Sequence, residues 1–424
     1  MAIAVALAVA LAVALAVALA VALAVARDAS RNVTPVTTVP DSAAPPLRPT
    51  VVVVDPAAIT ANIRHLRTVS GVDVCAVVKA DGYGHGAVVA ARAAIDGGAT
   101  WLAVALVEEG EELRAAGIDA PTLLLAEPPV AGVARMIAAD LTPMCWSPAF
   151  LSAVAAAGHT RGRPVDVHLK ADTGMNRVGI APDDWGAVLD LAADLAADPN
   201  GLRITGLATH LARSDEPSVG TTHDQLDAFD GFLRVAAERD ITPRLVHAAN
   251  SAGALIHPRS RHTMVRAGIA IYGLSPSSEV TAAQHGLVPA LSWTTRVSHA
   301  KHVSAGTAVS YGHRWAAPRD GWLATLPVGY ADGVPRRVGG RLDVVVAGVR
   351  RPIVGTVCMD QVLVWCDDLE VTVGDPVTLL GQAAGRDRDV AVTADDWAHA
   401  AETITYEITC GISKRVPRRL PGED

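Results

Sequence analysis

The 424-residue chain contains few lysines, and Lys79, Lys170, Lys301 and Lys414 are the only ones among 36 basic residues. Arginine supplies the rest of the positive charge, so the lysines mark positions where an amine that can lose its proton would matter. The chain also lacks a basic excess, because 44 acidic residues give a net charge of −8. This balance argues against nucleic acid as a partner.

Cysteine and aromatic residues are scarce as well. The five cysteines form no C-x-x-C pair, which argues against a disulfide framework and a zinc knuckle, and no metal site is expected. The chain has three phenylalanines and five tyrosines, the latter at Tyr83, Tyr272, Tyr311, Tyr330 and Tyr406. Half of all residues are nevertheless hydrophobic, so the chain can bury a large core and wholesale disorder is excluded.

The N-terminus is unusual, since residues 1–26 repeat A-V-A-L and are long enough to span a bilayer of ~30 Å. A signal peptide would need a basic start, which is absent. An anchor would keep the protein body in the cytoplasm, because Arg27 and Arg31 follow the apolar run. We favour a third interpretation, a simple repeat in an over-extended reading frame. We therefore expect a cytoplasmic protein, with anchoring or export through this segment as the alternative, and a flexible linker over residues 27–50.

From residue 51 to 285, short apolar runs alternate with amphipathic stretches such as 183–197 and 223–238, which predict helices. Nine strand candidates begin at positions 51, 72, 101, 121, 141, 165, 203, 244 and 264. Eight of them would close a (β/α)8 barrel of the TIM type, and we expect the first to lie outside it. An open doubly wound sheet is the alternative, but no G-x-G-x-x-G opens a helix. Residues 286–424 change to β-branched runs and turns, which predict a mostly β C-terminal domain.

The segment VDVCAVVKADGYGHG ends a predicted buried strand at Lys79 and continues into a glycine-rich loop. In a barrel this places the amine at the carboxyl ends of the strands, where active sites form. Burial lowers the pKa of a lysine, and a neutral amine can form a Schiff base with a carbonyl. From the spacing alone, a solvated lysine at a strand end is the simpler interpretation.

The motif AVVKADGYGHG resembles the pyridoxal-phosphate lysine motif of the alanine racemase family. Further segments resemble that family's blocks in the same order, namely VHLKADTGMNRVGI, ATHLARSDEP, HAANSAGAL, MVRAGIAIYGLSP, VSYGHRW, LPVGYADGVPR, GTVCMDQ and ITYEITCGISKRVPR. They extend from about residue 51 to the end of the chain. The resemblance implies an enzyme that uses pyridoxal 5'-phosphate to interconvert L- and D-alanine and so supplies D-alanine for peptidoglycan.

The resemblance also implies roles for single residues. Lys79 would hold the cofactor and act as one catalytic base, and Tyr311 would act as the second base on the opposite face of the substrate α-carbon. A free phenol has a pKa of about 10, so a neighbour must lower it, and the family gives this contact to His210. Arg266 would face the ring nitrogen of the cofactor, where a guanidinium donates a hydrogen bond but keeps its proton.

The cofactor phosphate would be held by two phenols, one hydroxyl and two backbone N–H groups. The family motifs place these at Tyr83, Tyr406, Ser251, Gly268 and Ile269. Ser251 is expected to open a short helix, and the positive end of a helix suits a dianion.

Substrate contacts are implied for Arg177, which would bind the carboxylate, and for Met359 with Asp360, which would enter the active site of a partner subunit. Lys170 matches a position that family members often carry as a carbamate, an anion that would orient Arg177. An ordinary ion pair between Lys170 and Asp172 is the alternative, and the sequence leaves both open.

Because Tyr311 and Met359 fall in the β domain, the family's head-to-tail homodimer would supply both from the partner.

Two other functions remain possible from the sequence. One is a broad-specificity or serine racemase, because a small pocket rejects an added hydroxyl only weakly. The other is a non-catalytic pyridoxal-phosphate homeostasis protein, which shares the barrel but has no β domain.

Overall fold

A computed structural model describes residues 47–277, 279–383 and 390–423. The predictions for residues 1–26, and nearly all of the predicted linker, therefore lie outside the described residues. Arg48–Glu423 form one compact unit. In the described ranges, no helix has both the length and the apolar character needed to cross a membrane.

The described chain up to residue 267 contains nine strands and the helices that connect them. The strands are β1 (Val51–Val54), β2 (Asp73–Val77), β3 (Trp101–Val104), β4 (Thr122–Leu124), β5 (Leu141–Cys145), β6 (Val165–Lys170), β7 (Leu202–Ala208), β8 (Leu245–His247) and β9 (Met264–Ala267). The helices are Pro56–Ser70, Ala87–Asp96, Val107–Ala115, Val133–Ala138, Pro148–Arg161, Trp185–Ala197, Thr221–Ala237 and Ser251–Ile256. Both helices predicted from periodicity are confirmed, at Trp185–Ala197 and Thr221–Ala237.

Helix Pro56–Ser70 shows how the sequence sets these elements. Asp55 caps its start by accepting a hydrogen bond from the backbone N–H of Ala57, and proline occupies the first turn. Gly71 ends the helix with φ 70°, a left-handed conformation that glycine adopts without steric cost. One face is buried against the barrel through side chains at helical spacing, namely Ile59, Ile63 and Leu66.

Strands β2 to β9 form a parallel sheet in the order β8-β7-β6-β5-β4-β3-β2-β9. The two ends of this sheet meet, since the backbone N–H of Thr263 donates to Val246 O at 3.1 Å and that of Arg266 donates to Ala249 O at 2.9 Å. The result is a nearly closed eight-stranded barrel with helices around it. The predicted barrel is thus confirmed, and its carboxyl strand ends lie on one face.

The second sheet contains β1 and the strands that follow residue 290. These strands are β10 (Leu291–Arg296), β11 (His299–Val303), β12 (Ala308–Val309), β13 (Trp315–Ala316), β14 (Gly321–Leu326), β15 (Asp343–Val346), β16 (Val349–Val354), β17 (Val362–Asp367), β18 (Pro376–Gln382), β19 (Ala391–Val392) and β20 (Arg418–Arg419). They pair in the order β11-β14-β17-β16-β15-β18-β10-β1-β20, with β19 on β18 and with β12-β13 as a separate hairpin. Two helices, Ala394–Ala401 and Thr405–Gly411, complete this mostly β part.

The position of β1 links the two ends of the chain. It pairs antiparallel with β10 and parallel with β20. The prediction that the first strand lies outside the barrel is therefore confirmed. Its partners are in the second sheet, although its own residues precede the barrel.

Candidate active site

Five of the predicted site residues lie at the carboxyl ends of barrel strands. Lys79 follows β2, Lys170 ends β6, His210 follows β7, Ser251 follows β8 and Arg266 is in β9. In barrels of this type that end of the strands is where catalytic side chains collect. The strand order brings β2 and β9 side by side, so the lysine and the arginine belong to neighbouring strands.

The backbone after Lys79 makes a left-handed turn, Lys79–Tyr83. Ala80 and Asp81 have φ 53°, and so does Tyr83. Such angles cost about 1–2 kcal/mol for each residue with a Cβ, so surrounding contacts must hold the turn. Asp81 supplies one of them, because its side chain accepts a hydrogen bond from the N–H of Ala87 at 3.0 Å.

Glu109 supplies the other main contact. Its Oε1 accepts from the backbone N–H of Ala80 at 2.6 Å, and its Oε2 accepts from Ala105 at 2.8 Å and from Leu106 at 3.1 Å. A single carboxylate thus ties the turn after Lys79 to the end of β3. The sequence analysis missed this residue, since a glutamate in the first turn of a helix has an ordinary local explanation.

The environment of both site lysines disfavours the ammonium form. Burial, and next the Arg177 guanidinium, lower the pKa of Lys79. Lys170 is 4% exposed, and burial followed by the charges of Arg266 and Arg177 lowers its pKa to about 8. Its ammonium lies 5.7 Å from the Trp146 ring centre. Both amines are therefore easier to deprotonate than a lysine in water.

No ion pair joins Lys170 to a carboxylate in the part of the chain that the structure describes. Asp172 instead accepts hydrogen bonds from the backbone N–H groups of Gly174 at 2.9 Å and Asn176 at 3.1 Å. The alternative of an ordinary Lys170–Asp172 pair is thus not observed.

Arg266 is 4% exposed and donates several hydrogen bonds from its two terminal nitrogens. Nη1 contacts His247 Nδ1 at 2.6 Å and His247 O at 2.9 Å. Nη2 contacts Thr209 O at 2.7 Å, Ala248 O at 3.0 Å and His210 Nδ1 at 3.1 Å. No described residue accepts from Nε. Burial lowers the pKa of Arg266 to about 10, so the group stays a cation at neutral pH.

His210 is set in one tautomer by this arginine. A guanidinium has no acceptor, so His210 Nδ1 must accept and the proton of the neutral ring must be on Nε2. Burial, and then the charge of Arg266, hold its pKa well below the usual range, so the ring is neutral. His210 thus offers an N–H donor from Nε2.

The predicted phosphate-binding groups meet around Gly268. Ser251 Oγ accepts from the N–H of Gly268 at 2.9 Å and from that of Ala270 at 3.2 Å, so the Gly268 N–H points to Ser251 in this structure. Ile269 begins the 3-10 turn that follows. Ser251 is the first residue of a helix capped by the side chain of Asn250. The Ser251 hydroxyl proton has no acceptor in the described residues and is available to a ligand.

Two phenols complete this region. The rings of Tyr83 and Tyr406 are 5.9 Å apart, and neither hydroxyl has a hydrogen-bond partner among the described residues. Burial raises the pKa of both, so both remain protonated donors. A Cβ on Gly268 would lie 2.5 Å from Tyr83 Oη, so the approach of this phenol requires glycine there.

Tyr311 and Met359 are not part of this cluster within the single chain. Tyr311 lies at the tip of the β12–β13 hairpin and is 71% exposed, while Met359 is 52% exposed. Asp360, beside Met359, accepts a hydrogen bond from Arg415 at 2.7 Å. Arg177 is also exposed, on the loop after β6, and its charge acts on both lysines.

The structure adds two buried histidines that the sequence analysis did not single out, His168 and His247. His168 Nδ1 lies 2.8 Å from His247 Nε2, and His247 receives the bond from Arg266. Both are in motifs that were recognised, VHLKADTGMNRVGI and HAANSAGAL. The signal that could have revealed them is a histidine near the carboxyl end of an otherwise apolar barrel strand.

Two family patterns match the chain. The pattern described as "Alanine racemase, N-terminal domain" covers residues 54–276, and "Alanine racemase, C-terminal domain" covers residues 290–420. The alanine racemase of Symbiobacterium thermophilum is 45% identical over 379 residues, which are 89% of this chain and 98% of that protein. The alanine racemase of Mycolicibacterium smegmatis is 41% identical, over 90% of this chain and 97% of that protein.

Solved structures agree with this. Alanine racemase from the D-cycloserine-producing Streptomyces lavendulae has a TM-score of 0.85 and 39% identity, over 90% of this chain and 98% of that one. The Bacillus anthracis alanine racemase with bound L-Ala-P has a TM-score of 0.80 and 36% identity, over 90% and 97%. These likenesses extend across both sheets and all the segments that carry the candidate site. The chain therefore belongs to the alanine racemase family.

Proposed function

We propose that this protein interconverts L- and D-alanine with bound pyridoxal 5'-phosphate, and that Lys79 and Tyr311 are its two bases. The observation that carries the proposal is the joint placement of Lys79 and Arg266. A lysine with a lowered pKa ends one barrel strand, and a buried guanidinium with an unused Nε donor lies in the neighbouring strand.

The residues present fit the three reactive parts of this cofactor. The Lys79 amine suits an aldehyde, and the Nε donor of Arg266 suits a ring nitrogen. The hydroxyls of Tyr83, Tyr406 and Ser251 lie around the close approach at Gly268 and suit a phosphate. When bound, the cofactor supplies an electron sink that makes the α-hydrogen of an amino acid acidic.

Lys79 and Tyr311 then move protons at the substrate α-carbon. One group removes the α-proton from its face, and the other delivers a proton to the opposite face, so the configuration is inverted. In the reverse direction the two groups exchange tasks. When Tyr311 delivers its proton to the α-carbon, the phenol becomes a phenolate, and in the reverse direction that phenolate takes the α-proton. The Nε2–H of His210 is the donor that would stabilise the phenolate.

Arg266 would donate to the ring nitrogen without giving up its proton. The nitrogen stays largely unprotonated, so the electron sink is weaker than one facing an acid. Arg266 would thereby favour return of the proton over side reactions of the substrate.

Arg177 would bind the substrate carboxylate, and a carbamate on Lys170 would orient it. The neutral Lys170 amine would attack carbon dioxide so that an N–C bond forms and one C=O π bond opens. The electron pair of that π bond goes to the oxygen, which becomes the carbamate anion, and one amine proton leaves to water. Support comes from the buried position of Lys170, from its pKa of about 8 and from its two cationic neighbours. Carbon-13 NMR of the protein in labelled bicarbonate tests this, with a carbamate resonance expected that is absent from Lys170→Met.

The exposure of Tyr311 and Met359 supports a head-to-tail homodimer in which each subunit completes the other's site.

We also propose that the enzyme acts in the cytoplasm, where it supplies D-alanine for peptidoglycan. A serine or broad-specificity racemase remains the second candidate, because the same groups would serve serine. The mostly β second part argues against a homeostasis protein that consists of a barrel alone.

The deciding experiment is racemisation of L- and D-alanine beside L- and D-serine by the full chain with pyridoxal phosphate. We expect fast turnover of alanine, serine slower by orders of magnitude, and no turnover by Lys79→Ala. Comparable rates on both amino acids would favour the broad-specificity alternative. Cofactor binding without turnover of either would contradict the proposed activity. Borohydride reduction and peptide mapping should find the cofactor on Lys79.

A further inference from the structure

A row of three buried side chains runs through the barrel interior from Arg266 to His247 and on to His168. His247 and His168 are both 0% exposed. The contacts are 2.6 Å from Arg266 Nη1 to His247 Nδ1 and 2.8 Å from His247 Nε2 to His168 Nδ1. Within the described residues, His168 Nε2 has no partner, so the row ends there.

The direction of every hydrogen bond in the row follows from the arginine. A guanidinium only donates, so His247 Nδ1 must accept and cannot carry a proton. The proton of the His247 ring is then on Nε2, which donates to His168 Nδ1. That nitrogen must accept in turn, and the His168 proton is on Nε2. One fixed donor therefore sets both rings in one tautomer and keeps both neutral.

The backbone makes room for His168. The pairing of β6 with β7 shifts register between Val167 and His168, which leaves one extra residue on β7. Gly206 lies opposite His168, and a Cβ there would be 2.5 Å from the imidazole ring. The bulge in β7 and the missing side chain at Gly206 together leave room for the His168 ring. The backbone of β7 is therefore shaped to accept an imidazole at this position.

The histidines also help to stabilise the buried positive charge of Arg266. Arg266 is a buried cation, and no carboxylate pairs with it in the described chain. Its contacts are carbonyl oxygens and imidazole nitrogens, which are neutral acceptors. A buried cation without such acceptors would be strongly unfavourable.

We propose that His247 and His168 are positioning residues, which fix the orientation of the Arg266 guanidinium so that Nε is the donor left for the ring nitrogen of the cofactor. The inference rests on the proposed function for the identity of that ligand. Neither histidine touches substrate. Each acts through its neighbour, with His168 holding the His247 ring and His247 holding Nη1.

The tautomers can be tested on the full chain without any assay of activity. Long-range proton–nitrogen correlation spectra of the protein with labelled histidine should show His247 and His168 as neutral rings protonated on Nε2. Assignment follows from loss of each signal in His247→Asn and His168→Asn. A proton on His247 Nδ1, or a doubly protonated ring, would overturn the proposal.

A matched pair of variants tests the positioning. His247→Asn keeps an acceptor oxygen near the Nδ1 position, whereas His247→Leu fills the space without one. We expect kcat of the Leu variant to fall about ten-fold below that of the Asn variant, as for loss of one buried hydrogen bond, with KM for alanine unchanged in both. Cofactor affinity, measured by titration of the cofactor-free protein, should fall in the same order.

His168→Leu and Gly206→Ala extend the test to the end of the row. We expect His247→Leu to shift the absorption maximum of the bound cofactor. His168→Leu and Gly206→Ala should shift it in the same direction by a smaller amount. If His247→Asn and His247→Leu had the same kcat, cofactor affinity and absorption spectrum, the histidines would only fill space in the barrel. That result would reject the proposal. If the unmodified chain did not racemise alanine, the proposed function would be rejected instead. The histidine tautomers and the order of cofactor affinities among the variants would still decide whether the histidines position Arg266.

Discussion

The hydroxyl of Ser310 donates a hydrogen bond to the carbonyl oxygen of Thr356 at 2.6 Å, and the Thr356 hydroxyl donates to the carbonyl of Tyr311 at 2.8 Å. Ser310 has φ 66° and ψ −175°, a region that is essentially restricted to glycine. The two hydroxyls thus hold a strained backbone directly before the tyrosine that we propose as a base.

Ser310→Ala should be less stable than Ser310→Gly. Alanine keeps the backbone strain and loses the hydroxyl bond, which we expect to cost about 1–2 kcal/mol. Glycine loses the same bond but relieves the strain, so its stability should lie within about 1 kcal/mol of the unmodified protein. Denaturant unfolding measures both. If alanine were the more stable of the two, the strained backbone would not be present in solution.

Glu109→Gln should destabilise the protein by about 2 kcal/mol, because in either orientation of the new amide at least one backbone N–H loses its acceptor. The matched control is Glu108→Gln in the same helical turn. Glu108 is exposed and pairs with Arg135 on the surface, so its removal should change stability by less than about 1 kcal/mol. Thermal unfolding compares the two. Equal effects would show that Glu109 does not hold the turn after Lys79.

Lys170→Met should stabilise the protein at pH 7 when carbon dioxide is excluded. The folded-state pKa is about 8 against an ordinary value of 10.5, so between these values the unfolded chain binds more protons. Stability of the unmodified protein therefore rises with pH across this window, and below it the charged lysine costs about 3 kcal/mol. Denaturant unfolding from pH 7 to 10.5 should show the advantage of Lys170→Met shrinking as the pH rises.

Lys301→Met is the control for this prediction. Lys301 is exposed on the edge strand β11, so its replacement removes no buried amine and serves as the comparison for Lys170→Met. A constant difference between Lys170→Met and the unmodified chain at every pH would contradict the burial of an ionisable amine at position 170.

Lys79→Ala and Tyr311→Ala should each be inactive and should restore activity when mixed. If sites are shared between subunits, half of the mixed population is heterodimer with one intact site, which gives roughly a quarter of normal activity. The measurement is racemisation after subunit exchange by mild denaturant. Exchange shown by mass spectrometry without recovery of activity would argue that each site is built from one chain.

The barrel could be predicted from sequence because buried parallel strands are short, continuous apolar runs. WLAVAL at 101 and PTLLLA at 121, for example, appear as β3 and β4 within a residue or two of the expected limits. The face expected to carry the candidate site followed from the same rule, since Lys79 follows β2 and Lys170 ends β6. Local composition determines these features, and it is visible in the sequence.

Features that depend on distant pairing or on strain were not predicted. The pairing of β1 with β10 and β20 joins residues far apart in the chain, and nothing near Val51 encodes that choice. The left-handed backbone conformation of Ala80 is one that alanine rarely adopts. Contacts such as the hydrogen bond to Glu109 impose it. The row of His168 and His247 depends on a bulge in β7, which has no local sequence signature.

The pairing of β1 between β10 and β20 also has a consequence for synthesis on the ribosome. Val51–Val54 are synthesised before the barrel, but both of their partner strands, β10 and β20, follow more than 200 residues later in the chain. All eight barrel strands are synthesised before either partner. The nascent chain therefore carries an unpaired, wholly β-branched strand until β10 is made, and an unpaired apolar strand of this kind is prone to aggregation during folding.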